Sequence, residues 1–231
     1  MSLGALLAAL LASAATAPAP APERGVAVVL ERVSGKVSVR TEAAGEYRRL
    51  RRAERLPVLT TVDAQEGRVR LTVARDDKGG TWSAVFSEGK FTVAQPEEGE
   101  PVTTLTLTGP TFRATCGDAT AARRGKPRRV RRLWGNGHGR FRTSGHYSAA
   151  TVRGTKWLTE DRCDGTVTRV VRGTVEVEDF TDDPVPAPPE ESGPDTPTAP
   201  SPGAPAPAPV SGAPGTYIVP TGGSYVARPG S

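Results

Sequence analysis

The chain has two histidines, His138 and His146; Ser144 and Ser148 flank the second, and Asp161 follows further on. A hydroxyl, an imidazole and a carboxylate can together make a nucleophile, but such a set is defined by geometry and not by nearness in sequence. No Gly-x-Ser-x-Gly elbow, His-Glu-x-x-His pair or phosphate-binding loop accompanies them. The only cysteines, Cys116 and Cys163, lack the nearby histidines that would complete a four-ligand zinc site. These residues predict no catalytic site, no metal and no cofactor. Both histidines sit in Gly-rich surroundings and read as exposed turn or edge-strand residues.

Binding chemistry is denser. The stretch RRGKPRRVRRLWGNGHGRFR, 123–142, carries Arg123, Arg124, Lys126, Arg128, Arg129, Arg131, Arg132, Trp134, Arg140 and Arg142. Guanidinium groups interleaved with aromatics can hold a polyanion by charge and stacking, or can face an acidic protein surface. Three features temper a polyanion reading. The net charge is only +5, arginine outnumbers lysine 25 to 5 along the whole chain, and eight acids lie between Glu176 and Asp195. The expected partner is an unidentified envelope protein or an anionic polymer, with nucleic acid not expected.

These residues need elements to position them. Residues 1–22, MSLGALLAALLASAATAPAPAP, read as a signal peptide and Ala/Pro leader: the apolar run is too short to span a bilayer and small residues follow it. The reading implies a secreted or cell-surface protein with no transmembrane helix in the mature chain, although the usual basic residues at the start are missing. In that compartment Cys116 and Cys163 are expected to form one disulfide, with two buried thiols as the alternative.

One pattern recurs: glycine, any residue, apolar, polar, apolar. It appears as GKVSV (35–39), GRVRL (67–71), GKFTV (89–93) and GTVEV (173–177), with a looser copy in GRFRT (139–143). Period-two alternation entered from glycine is the signature of strands with one buried face. Only TEAAGEYRRLRRAERL, 41–56, could hold a short helical turn. The irregular spacing of the copies argues against a clean short-period repeat. The expected fold is all-β: a single irregular β-sandwich or short β-solenoid-like domain over 25–183, with a long Pro-rich insertion. Residues 184–214 are almost all Pro, Ala, Gly, Ser or acid and are expected to be disordered. TYIVPTGGSYVARPG then turns apolar again, so 215–231 are expected to form a C-terminal hairpin docking back on the β domain.

The passage ATVRGTKWLTEDRCDGTVTRVVRGTVEVEDF, 150–180, is the densest of all. Trp157 and Leu158 lie in a strand, Asp164-Gly165 signal a hairpin turn, and Val175 and Val177 alternate in a later strand. Arg153, Gly154 and Thr155, with Gly165 and Gly173, resemble the fingerprint of FecR-like domains. VSGKVSVR (33–40), LPVLTTVDAQEGRVRLTVA (56–74) and TGGSYVARPG (221–230) are similar to that family's other strands. The resemblance covers about Val26 to Gly230 and is nearest to exported actinobacterial members. It implies a non-enzymatic β domain acting in cell-envelope binding or signalling by protein–protein contact. The alternative is an envelope polyanion-binding protein that uses the 123–142 loop. The cysteines and the arginine-rich loop are not general features of the family.

Overall fold

The computed structural model describes residues 20–117, 127–181, 210–211 and 215–229. The expectations for 1–19, for Arg123, Arg124 and Lys126, and for the Pro-rich run apart from Val210 and Ser211 lie outside these residues.

The chain is all-β. Its strands are β1 (Ala27–Arg40), β2 (Arg48–Arg49), β3 (Glu54–Pro57), β4 (Thr61–Ala74), β5 (Thr81–Ser87), β6 (Lys90–Ala94) and β7 (Thr103–Leu107). A five-residue helix, α1 (Phe112–Cys116), precedes β8 (Arg129–His138), β9 (Phe141–Ser144), β10 (Ser148–Val152), β11 (Thr155–Arg162) and β12 (Gly165–Arg172). The last strands are β13 (Val175–Asp179), β14 (Val210–Ser211), β15 (Thr216–Val219) and β16 (Ser224–Ala227).

All of them join one sheet that forks at β4. The C-terminal half of β4 pairs with β5, and that arm continues through β8, β11 and β12 to β16. The N-terminal end of β4 pairs with β6, and the second arm runs through β7, β9, β10, β13 and β15 to β14. Pairing is antiparallel except between β7 and β9. The arms face each other as the layers of a sandwich, and together they make a nearly closed, flattened barrel. A solenoid of stacked parallel strands is not what forms.

The recurring glycine pattern explains the fork. Each of its five glycines marks a place where the chain passes between the arms: within β1 and β4 at Gly35 and Gly67, and between β5 and β6, β8 and β9, and β12 and β13 at the other three. Gly35 has φ +66, and a Cβ on it would lie 2.3 Å from the Glu66 carbonyl oxygen. A Cβ on Gly67 would lie 2.5 Å from the Lys36 carbonyl oxygen, so the two long strands bend past each other only without side chains there. The apolar positions after each glycine then point inward: Val37, Val39, Val69, Leu71, Phe91, Val93, Phe141, Val175 and Val177 are all fully buried. Phe86 sits among them, its ring 5.5 Å from Phe91, 5.7 Å from Phe141 and 5.9 Å from Trp157, which locks the two arms together.

Four expectations change. No helix forms in 41–56; instead the Leu50 amide donates to the Val37 carbonyl and β2 and β3 cover the edge of β1, burying Leu50. The tight turn in the dense passage is Cys163-Asp164, since Arg162 pairs with Gly165, which already belongs to β12. Val210 and Ser211, placed in the disordered run, form an edge strand against β15. Finally, β15 and β16 do not pair as a hairpin: β15 pairs with β13 and β16 with β12. The residues between them cross from one arm to the other, which lets both strands bury apolar side chains against existing edges, Val219 on one side and Ala227 on the other.

Candidate functional site

At one end of the barrel Cys163, in the β11–β12 turn, is bonded to Cys116 at the end of α1. This ties the helix to the β11–β12 turn and closes a sequence separation of 47 residues. Beneath it lies Asp161, wholly buried. Its Oδ2 accepts from Arg131 Nε at 2.6 Å, and its Oδ1 accepts from the His146 amide at 2.9 Å and the Thr166 hydroxyl at 2.6 Å. A carboxylate held by one guanidinium and two other donors is satisfied, and its charge is compensated. The His146 ring stacks on Phe112 at 4.4 Å, and the Tyr147 ring stands edge-on to both. Burial, and then the Asp161 charge, push the Tyr147 phenol above its ordinary pKa. Asp161 therefore binds the backbone of His146, not its imidazole. Ser144 donates to the Gly145 carbonyl, and the Ser148 hydroxyl is buried without a partner among the described residues. No three His, Cys, Asp or Glu side chains among the described residues gather as a metal-binding set.

The arginine-rich segment does not form one patch. Along β8, β9 and the turn between them its side chains meet separate carboxylates: Arg131 meets Asp161, Arg132 meets Glu88, Arg140 meets Glu100 at 2.7 Å and Arg142 meets Glu178 at 2.7 Å. Trp134 is half-buried with the Lys156 ammonium 5.9 Å above its ring. Arg128 and Arg129 are exposed and have no ion pair among the described residues.

The fingerprint residues fall into two groups. Thr155 is buried at the start of β11, and Trp157 donates from Nε1 to Thr143 Oγ1 at 3.0 Å across the barrel. Gly165 lets β16 approach, because a Cβ there would be 2.1 Å from the Ala227 carbonyl oxygen. At Gly173 a Cβ would be 2.6 Å from Thr155 Cγ2, and Gly154, at φ +139, forms the crossing turn. These are structural positions. Arg153 is different: it is exposed and lines a cleft of about 260 Å3.

That cleft lies on the outer face of the second arm, at the end opposite the disulfide. Arg140, Arg153, Glu100, Glu176, Thr174 and Ile218 line it, with Val102 and Thr151. The hydrogen bond from Arg140, and then its charge, hold Glu100 below its ordinary carboxylate pKa, and Arg153 adds to the effect. Thus the structure joins one arginine of the basic segment to one of the fingerprint. Glu100, Glu176, Thr174 and Ile218 were not singled out by sequence. Alternation in GTVEV placed Glu176 on the outer face, but only strand register sets it beside Arg153. Two other clefts, around Ala21–Asp76 and Arg40–Leu59, offer less: Asp76 is occupied by its own loop amides at Lys78 and Gly80. No helix among the described residues is long and apolar enough to cross a membrane. No family model matches the chain, and neither does any curated protein or solved structure.

Proposed function

We propose that the chain is an exported, FecR-like β-barrel module that binds a component of the cell envelope without catalysis, through the cleft on its second arm. The observation that carries this reading is the meeting of Arg153 and Arg140 with Glu100 and Glu176 in one concave site at the ends of β7, β9, β10 and β13. A concave site with a few convergent polar groups favours recognition of a defined ligand. The FecR-like resemblance supports the module, since Gly165 and Gly173 occupy positions where a larger residue would clash. The polyanion alternative has less support. Of the segment's six described arginines, four already face carboxylates, so these four add little to the release of counterions when a polymer binds.

The test is capture from envelope fractions with matched variants. Capture should fall for Arg153→Gln or Glu176→Gln and persist for the Arg128→Gln/Arg129→Gln pair. Capture that depends on Arg128 and Arg129, with a steep salt slope, would favour the polymer instead.

A further inference from the structure

One side of the cleft is internally neutral, with Arg140 and Glu100 paired at 2.7 Å. The other side also carries one charge of each sign, but there they are not paired. Arg153 and Glu176 are both exposed, both line the cleft, and neither has an ion-pair partner among the described residues. Glu176 pairs with Thr151 in β13 and β10, and Arg153 follows directly on Val152 at the end of β10, so the two residues sit close together at one end of this strand pair. Both line the same small cleft, so one small ligand can touch both. Two residues of extended chain reach about 7 Å, so a dipeptide is short enough to lie within the cleft with one charged end toward each residue.

Two arginines and two glutamates sum to zero, which disfavours a simple anion and suits a ligand that carries both charges. The volume, about 260 Å3, is below the roughly 300–1,000 Å3 of sites for drug-sized molecules. It takes one or two amino acids and excludes a folded domain. Val102 and Ile218 give apolar surface for small side chains, and Thr151 and Thr174 offer hydroxyls for a peptide group. We propose that this cleft binds the zwitterion of a short peptide, its carboxylate on Arg153 and its ammonium on Glu176. This rests on the cleft being the binding site and names what that site takes.

The experiment titrates the full chain with Ala-Ala, N-acetyl-Ala-Ala, Ala-Ala amide and inorganic phosphate, followed by calorimetry and amide chemical shifts. Ala-Ala should bind and shift Thr151 and Thr174, and each capped form should bind at least roughly tenfold more weakly. In Arg153→Gln, amidation should cause no further loss; in Glu176→Gln, acetylation should cause none. Both side chains are exposed, so an unchanged melting temperature will show that the variants fold. Phosphate or N-acetyl-Ala-Ala binding as well as Ala-Ala would overturn the proposal, as would no response up to about 10 mM Ala-Ala. If Ala-Ala fails while envelope capture still needs Arg153, the ligand class is wrong and the site stands. Capture that ignores Arg153 and Glu176 would remove the site itself.

Discussion

Asp161 and Tyr225 are the two side chains whose environments make the sharpest demands. Asp161 is buried and accepts from Arg131, the His146 amide and Thr166, so removing it strands a guanidinium and two polar donors. Asp161→Ala should cost about 3–5 kcal/mol in urea unfolding, and Asp161→Asn less, because the amide keeps an acceptor. A loss below about 1 kcal/mol for Asp161→Ala would mean that water reaches the group. Tyr225 donates to Asp179 Oδ2 at 2.5 Å and stacks on Tyr217 at 4.4 Å. Burial first, and then the Asp179 and Tyr217 contacts, push its phenol far above the ordinary tyrosine pKa. The folded state thus binds this proton more tightly than the unfolded chain does. The stabilisation is complete below about pH 10, where unfolded tyrosine titrates, and declines as pH rises beyond it. Tyr225→Phe should lower stability at pH 7 yet flatten the fall between pH 9 and 11, as read from denaturation midpoints; an unchanged alkaline slope would assign the fall to other groups.

Among the elements, α1 and the pair β15–β16 act as closures. The bond from Cys116 to Cys163 ties α1 to the β11–β12 turn; for a loop of 47 residues the chain-entropy effect is about 4 kcal/mol. Cys116→Ser/Cys163→Ser should unfold at correspondingly lower denaturant, with far-UV circular dichroism unchanged at rest. β15 and β16 extend the free edges of both arms and bury Val219, Tyr225 and Ala227. Deleting 215–231 should therefore lower the melting temperature by more than about 10 °C, since losing several buried side chains costs a few kcal/mol in a chain of this size. A shift under about 2 °C would show that the strands add nothing to the barrel.

Over the whole molecule, charges of both signs are interspersed and the net charge stays at +5. Arg132 and Arg142 are tied to Glu88 and Glu178, so Arg132→Gln and Arg142→Gln should each cost less than about 1 kcal/mol and leave retention on an anionic polymer unchanged. A clear drop in retention would return these arginines to the polyanion reading.

The all-β class and most of the core were readable without coordinates. Val37, Val39, Phe91, Phe141 and Val175 alternate with polar residues, and a period of two leaves one face to bury. Gly35 and Gly67 were visible as strand entries, because glycine preceded each alternating run. Their work as corners was not, since a corner exists only when two long strands pass each other. The same holds for the meeting of Arg140 with Arg153, and for the route of 215–229 to opposite edges of the sheet. Residue type and alternation are local properties, carried by each short segment. Which strand neighbours which, and in what register, is set by the packing of Phe86, Trp157 and the two arms, and only the folded chain decides it.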